Sequence, residues 1–306
     1  MRYHRAALAR QAYPRITCAT LSWNPCPRDW AKPTSGLSDR ATRVRRVLTR
    51  SGATPRVLPV VARNALKPGY LPEMARKLWR RVRHPRSHST ASRARSWAEA
   101  RAESAEVFAC SLDAQLWDEA GVFETEFSRG ATDLLSELPI RLGGPGHYRL
   151  VYFLVRHLRP AAALETGVAA GFTTAAVLTA LDKNGEGFLH SSDLPYFRIQ
   201  DPEKYVGVVV PEHLKGRWAL HLGSDRSNLP EILEDTKTFD FVHYDSDKSY
   251  EARAATMELV DTHLSPGAVI VIDDIGDNFH FRDWTANQEM ARVFEFDGKF
   301  LGLVGL

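Results

Sequence analysis

From Pro160 onward, short apolar runs alternate with longer stretches of helical spacing. Residues 161–165, 187–192, 218–222, 239–244 and 268–273 read as strands, most of them apolar runs of strand length. Between them, residues 171–181, 227–235 and 250–264 read as helices. Apolar runs of this length between helices predict a parallel sheet covered on both faces. Residues 293–296 and 300–304 flank Asp297-Gly298, a dipeptide favoured in tight hairpins, so the sheet is expected to finish in an antiparallel pair. The fold class is α/β, a Rossmann-like doubly wound sheet.

Ahead of this core, a Gly-Gly-Pro-Gly break at 143–146 opens a helix whose Leu150, Val151, Leu154, Val155 and Leu158 recur at helical spacing. Ser96, with Glu99 three residues on, reads as a capping box for an Ala- and Glu-rich helix running to about Asp118. Residues 96–158 are therefore expected to form a helical cover over the substrate side and to support a homodimer. Residues 160–306 form the Rossmann-like core.

Charge divides the chain. It carries 40 Lys+Arg and 37 Asp+Glu. Residues 1–96 hold 22 of the bases and 3 of the acids, leaving 18 and 34 for the remainder. Residues 1–95 are expected to be a basic, mostly disordered arm, because like charges repel and little apolar surface offsets the ordering entropy. Arg40, Arg43, Arg45, Arg46 and Arg50 form one cluster, and Lys77, Arg80, Arg81, Arg83 and Arg86 another. Within the arm, 72–83 reads as a helix with Leu71, Met74, Leu78 and Trp79 on one side. The arm is expected to be a tail solvated by its charges, or non-native residues added by an upstream start codon, or else a grip on nucleic acid or an anionic membrane surface. An Arg-rich, acid-poor start also fits an organelle transit peptide.

The 306 residues allow about two domains. No apolar run approaches the roughly 20 residues of a membrane span, and no secretory apolar core is present. Cys18, Cys26 and Cys110 form no CxxC pair, so neither a zinc knuckle nor a disulfide framework is indicated. A reducing cytoplasm is the expected compartment.

The most informative segment is Leu164-Glu165-Thr166-Gly167-Val168-Ala169-Ala170-Gly171, where a strand runs through a glycine turn into a helix. In an open α/β sheet, ligands bind beyond the carboxyl ends of the strands, where this turn falls. Gly167 and Gly171 let the backbone approach a ligand closely. A dinucleotide site reads GxGxxG and aims a helix N-terminus at a pyrophosphate. Here the spacing is ExGxxxG, with an acid before the first glycine. That suits S-adenosylmethionine (SAM), which has no phosphate but carries a sulfonium, an ammonium and a carboxylate. Glu165 is expected to act on its amino-acid part, directly or through water. Asp193 is expected to accept hydrogen bonds from the ribose hydroxyls. Ser224 and Asp225 fall where a polar group meets the adenine edge.

The fourth strand ends in Asp245-Ser246-Asp247-Lys248-Ser249-Tyr250 and the fifth in Asp273-Asp274. In a doubly wound sheet these ends are neighbours, so Asp245, Asp273 and Asp274 are expected to converge, with Asp245 also counted among the cofactor-binding residues. Three close carboxylates repel unless protonated or bound to a cation. Oxygen ligands without Cys or His point to Mg²⁺, with Mn²⁺ or Ca²⁺ as alternatives. Such an ion lowers the pKa of a hydroxyl and fixes its oxygen, and a base removes the proton. Lys248 is the first candidate base and His280 the second. The competing reading makes one or two of these acids helix caps, with Asp247 or Ser249 as the N-cap of the helix near Tyr250. His243, alone within a strand, reads as a core residue.

With these residues in view, 97–306 resembles class I SAM-dependent methyltransferases, and most the branch of natural-product sugar O-methyltransferases and cephalosporin-hydroxylase-like proteins. The carrying segments are Tyr148-Arg149-Leu150-Val151-Tyr152-Phe153-Leu154, the glycine turn, Ser192-Asp193-Leu194-Pro195-Tyr196-Phe197, Asp245 to Tyr250, and Val271-Ile272-Asp273-Asp274-Ile275. The resemblance implies a seven-stranded sheet of order 3-2-1-4-5-7-6 with strand seven antiparallel. It also implies SAM contacts at Glu165, Gly167 and Asp193. Catechol-type O-methyltransferases are similar at Asp-x-Asp-Lys, which implies Mg²⁺ binding by Asp245 and a base at Lys248. Asp273-Asp274 stands where their next ligands are Asp-Asn. Many branch members read Asp-Gly-Asp-His-Ser-Tyr, where this chain has Ser246 and Lys248. The expected activity is O-methylation of a small-molecule hydroxyl. The alternatives are an NAD-type oxidoreductase, a non-enzymatic binding protein working through the arm, and a metal-independent methyltransferase.

Overall fold

A computed structural model describes residues 58–306 except 68, 84–87, 143 and 289. Of the arm expected to be mostly disordered, residues 1–95, positions 1–57 with the first arginine cluster lie outside the described residues, and 58–65, 70–83 and 88–95 are helical.

Among the described residues, eight strands form one sheet: β1 Ala102–Glu103, β2 Ala162–Thr166, β3 Phe188–Asp193, β4 Trp218–Leu222, β5 Phe239–Tyr244, β6 Leu264–Ile272, β7 Ala291–Phe296 and β8 Lys299–Val304. They lie in the order β1-β7-β8-β6-β5-β2-β3-β4. Every neighbouring pair is parallel except those of β8, which runs antiparallel to β6 and β7. From β4 to β7 this is the order implied by the resemblance. The correction is β1, an eighth strand two residues long that pairs parallel with β7.

The helices are α1 Leu58–Ala65, α2 Tyr70–Arg83, α3 His88–Glu99, α4 Ala105–Ser136, α5 Tyr148–Leu158, α6 Phe172–Asn184, α7 Asp225–Asp235, α8 Tyr250–Asp261 and α9 His280–Trp284. None of the described helices is long and apolar enough to cross a membrane. Ser96 does not begin a helix. It lies inside α3, whose Ala94 and Ala98 are buried and whose Trp97 packs against Phe281. The chain leaves α3 because Ala102 and Glu103 are drawn into the sheet, and Ser104 caps α4 instead, accepting from the Val107 amide at 3.2 Å. Asp113 breaks helical geometry inside α4 (φ −160°, ψ 100°), and its carboxylate re-caps the next turn through the Leu116 amide at 2.9 Å. In α2 Leu71 is exposed, Met74 is partly buried, and Tyr70 and Glu73 are buried, while the side chains of Leu78 and Trp79 lie outside the described residues.

Alternation along the central strands sends side chains to two cores. Ala163, Phe241, Val269 and Val271 join α4, α5 and α6 on one face. Leu164, Val242, Ile270 and Ile272 join α7, α8, α9 and the end of α3 on the other. Each fully buried Leu, Val, Ile or Phe contributes about 1.5–3 kcal/mol. Helix α5 is buried along Tyr148–Val155 because it lies between α4 and α6, with Tyr152 stacked on Phe123 at 4.4 Å. Glu119 of α4 ties the pair, accepting from Arg156 at 2.8 Å and Tyr152 at 2.5 Å. The Arg156 hydrogen bond holds the Glu119 pKa down at about 2.

This packing leaves the carboxyl ends of β2, β3, β4, β5 and β6 side by side. Backbone bonds continue just past them: Gly167 N to Ser192 O at 2.8 Å, Asp245 N to Thr166 O at 2.7 Å, Gly223 N to Asp193 O at 2.8 Å and Asp273 N to Tyr244 O at 2.9 Å.

Candidate active site

The glycine turn is shaped by close backbone approaches. Gly167 has φ +87°, and a Cβ there would lie 2.5 Å from the Asp245 carbonyl oxygen. Gly171 has φ +98°, and a Cβ there would lie 2.8 Å from the Gly207 Cα. Both conditions demand glycine. The second contact comes from the long β3–β4 connection, whose Gly207 and Val209 amides donate to the Ala169 and Ala170 carbonyls at 2.9 and 3.0 Å. No periodicity in residues 194–217 announces this return.

Asp193 ends β3 and is 8% exposed. Its Oδ1 accepts from the Val168 and Ala169 amides at 2.8 and 3.1 Å, fixing the turn. Its Oδ2 makes no hydrogen bond among the described residues. Burial raises its pKa against the lowering effect of those two amides. Glu165 is placed differently from expectation. It is 0% exposed and sealed between β2, β3 and α6. Its Oε2 accepts from Thr174 Oγ1 at 2.7 Å and Ser191 Oγ at 2.8 Å, and Trp218 Nε1 donates to Ser191 at 2.9 Å. Among the described residues its Oε1 has no hydrogen-bond partner, and His243 Nδ1, itself buried as expected, lies 3.8 Å away. Glu165 therefore braces the turn from behind. Asp225 accepts from Ser192 Oγ at 2.7 Å, and Asn228 Nδ2 donates to the same hydroxyl at 3.0 Å. Ser224 precedes α7 as its N-cap residue, with its hydroxyl 3.2 Å from that of Ser227.

One strand over, Lys248 gathers the acids. Its Nζ ion-pairs with Asp245 Oδ1, lies 3.4 Å from Asp274 Oδ2, and donates to the Asp245 carbonyl at 3.1 Å. Burial lowers the Lys248 pKa, and the charges of Asp273 and Asp274 oppose that shift. Asp273 is buried against the 144–147 loop, where a Cβ on Gly146 would meet its Oδ2 at 2.9 Å. Ser249 is the N-cap of α8, accepting from the Ala252 amide at 3.3 Å.

Two of the three carboxylates expected to hold Mg²⁺, Asp245 and Asp274, are thus paired with an ammonium, and Asp273 turns to the 144–147 loop. Among the described residues, no group of three or more His, Cys, Asp or Glu side chains comes together closely enough to hold a metal ion. The donor set as arranged does not fit a divalent ion, because Lys248 stands between Asp245 and Asp274. His280, the second candidate base, is not in this cluster. It is 3% exposed, with its ring edge-on to Tyr250 at 5.3 Å and stacked on Trp284 at 6.2 Å. Burial lowers its pKa to about 4.

Arg253 was not foreseen. It is 0% exposed, and one guanidinium nitrogen donates to the Asp273 and Asp274 carbonyls at 2.8 and 3.0 Å. It holds Asp274 in its left-handed conformation (φ +53°). Its sequence signal is a charge on the buried face of α8, in line with Thr256, Met257 and Val260.

The profile of a methyltransferase-domain family matches residues 164–275, the span from the glycine turn to the end of the Lys248 cluster. The methyltransferase resemblance is supported over that span. No curated protein matches the chain. Among solved structures, similarity is found to an O-methyltransferase from Bacillus cereus in complex with SAH, at 18% identity and TM-score 0.44 over 63% of this chain and 91% of that one. An O-methyltransferase from Streptomyces achromogenes, involved in tomaymycin synthesis and in complex with SAM, is similar at 16% identity and TM-score 0.42 over 65% and 95%. A methyltransferase from Geobacter sulfurreducens is similar at 14% identity and TM-score 0.46 over 59% and 90%. With TM-scores under 0.5, none of these likenesses bears on what this chain does.

Proposed function

We propose, taking residues 164–275 as a methyltransferase domain, that the chain transfers a methyl group from SAM to a hydroxyl of a small molecule, a sugar or another secondary-metabolite group. The observation that carries this reading is the abutment of two sites. The turn at Gly167 lies against the Asp245 carbonyl, and Asp245 is the ion-pair partner of Lys248.

The residues at the turn fit a nucleoside that carries no phosphate. Asp193 offers Oδ2 to paired ribose hydroxyls while Oδ1 keeps the turn in shape. Ser224 stands at the adenine side. Gly167 and Gly171 keep the two ends of the turn free of side chains, and Glu165 acts as its brace. When bound, SAM supplies a methyl group made electrophilic by its sulfonium. The chain must then deprotonate and aim the acceptor. Lys248 takes the proton from the acceptor hydroxyl, since burial favours the neutral amine. Asp245 and Asp274 fix the Nζ in place, and Arg253 fixes the backbone that carries Asp274. No step in this reading passes through a divalent ion.

The test is incubation with radiolabelled SAM and a panel of glycosides and catechols. Label in a resolved product, with release of S-adenosylhomocysteine (SAH), supports the reading. Absence of label from every acceptor, together with no calorimetric heat on titrating SAH, overturns it.

A further inference from the structure

Helices α1 and α2 belong by composition to the basic arm, yet their contacts lead to the candidate cofactor site. Asn64 is 2% exposed and donates both amide hydrogens to the β3–β4 connection, to Phe197 O at 3.0 Å and Ile199 O at 2.9 Å. Lys67 Nζ reaches Glu203 at 2.6 and 2.8 Å. The Tyr70 hydroxyl donates to the same carboxylate at 2.8 Å, and its ring meets Phe197 edge-on at 5.3 Å.

The connection they grip begins at Asp193 and continues to Gly207–Val209, which bonds the glycine turn through Ala169 and Ala170. One loop is therefore tied to the hairpin in its first half and to the turn just beyond its midpoint. The Asp193 carboxylate is near enough for its charge to add to burial and to Glu203 in raising the Tyr70 pKa. Isolated helices of 8 and 14 residues are marginal in water, so docking supplies much of the order of α1 and α2.

We infer that the α1–α2 hairpin is part of the cofactor site, seated on the β3–β4 connection beside Asp193 and closing the nucleoside end, with Asn64 and Tyr70 as its positioning residues. This rests on the SAM-binding reading above. Ligand binding at Asp193 and docking of the hairpin then favour each other, and the coupling is reciprocal.

Hydrogen–deuterium exchange on the full chain, with and without SAH, tests this directly. SAH is expected to slow exchange in residues 58–76. In calorimetry, Asn64→Ala and Tyr70→Ala are each expected to raise the SAH Kd about tenfold, within the usual range of intramolecular coupling, while the melting of the sheet is unchanged. Tyr70→Phe keeps the edge contact with Phe197 and is expected to weaken binding less than Tyr70→Ala. Unchanged exchange in 58–76, in a wild-type chain that binds SAH, overturns the inference. So does wild-type SAH affinity in a folded Asn64→Ala chain. No heat from the wild-type chain with SAH removes the parent reading instead.

Discussion

Replacing Gly167 by alanine tests the contact on which the juxtaposition of turn and cluster depends. At φ +87° an L side chain costs about 1–2 kcal/mol. The added Cβ would also lie 2.5 Å from the Asp245 oxygen, 2.6 Å from its carbonyl carbon and 2.9 Å from the Ser246 nitrogen. All three are backbone atoms, so β5 or the turn must shift, at a further cost of about 1–3 kcal/mol. Gly185, the C-cap of α6, supplies the control. It has φ +77°, but among the described residues nothing would lie within 4 Å of a Cβ there, so Gly185→Ala bears only the first cost. For a domain of this size, about 1 kcal/mol moves Tm by about 2–4 °C. Gly167→Ala should therefore lower Tm by about 4–20 °C, and Gly185→Ala by about 2–8 °C. Calorimetric melting measures both, and SAH titration adds a second readout, because displacing the turn from Asp245 should weaken binding only in Gly167→Ala. Equal Tm losses, or wild-type SAH affinity in Gly167→Ala, would refute the close approach.

Lys248→Met is expected to lower kcat by about 10²–10⁴ while leaving SAH affinity intact; an unchanged kcat would remove Lys248 as the base. The wild-type rate should rise with pH as the buried lysine loses its proton, with its limb below the ordinary lysine value of 10.5. Asp274→Asn deletes a charge that holds this pKa up, so a pH–rate profile should show the limb at lower pH, and a move to higher pH would contradict the assignment. Arg253→Leu leaves the Asp273 and Asp274 carbonyls without their donor and should cost about 2–4 kcal/mol in urea unfolding. His280→Phe keeps a ring between Tyr250 and Trp284, and kcat should stay at its wild-type value; a large loss would restore His280 to the reaction.

The core of the fold was legible because buried parallel strands leave a plain signature. The apolar runs at 161–165, 239–244 and 268–273 all proved to be strands, and β6 begins earlier, at Leu264. Asp297-Gly298 behaves as its sequence requires, with φ +47° and +72°, the pair of positive angles of a tight hairpin. Strand β1 was not legible, because Ala102 and Glu103 carry no strand preference and are recruited by β7. The α1–α2 hairpin was hidden by its charge: it docks through an amide, an ammonium and a phenol, which hydrophobic periodicity does not register. At the site, residue types and spacing singled out Asp193, Asp245 and Lys248, which the fold brings to the carboxyl ends of β3 and β5. They did not give the direction of a side chain, so Glu165 was expected at the ligand and is found sealed behind the turn. Nor could spacing tell whether Asp245 and Asp274 gather around an ion or a lysine, since that depends on how Lys248 folds back over its own strand end.

Isothermal titration of the full chain with SAH tests the central claim most directly, with NAD as the comparison ligand. Saturable heat with SAH, lost when Asp193 is replaced by alanine, and no heat with NAD are the results this account predicts. Silence with SAH, or saturable binding of NAD at the same turn, would contradict it.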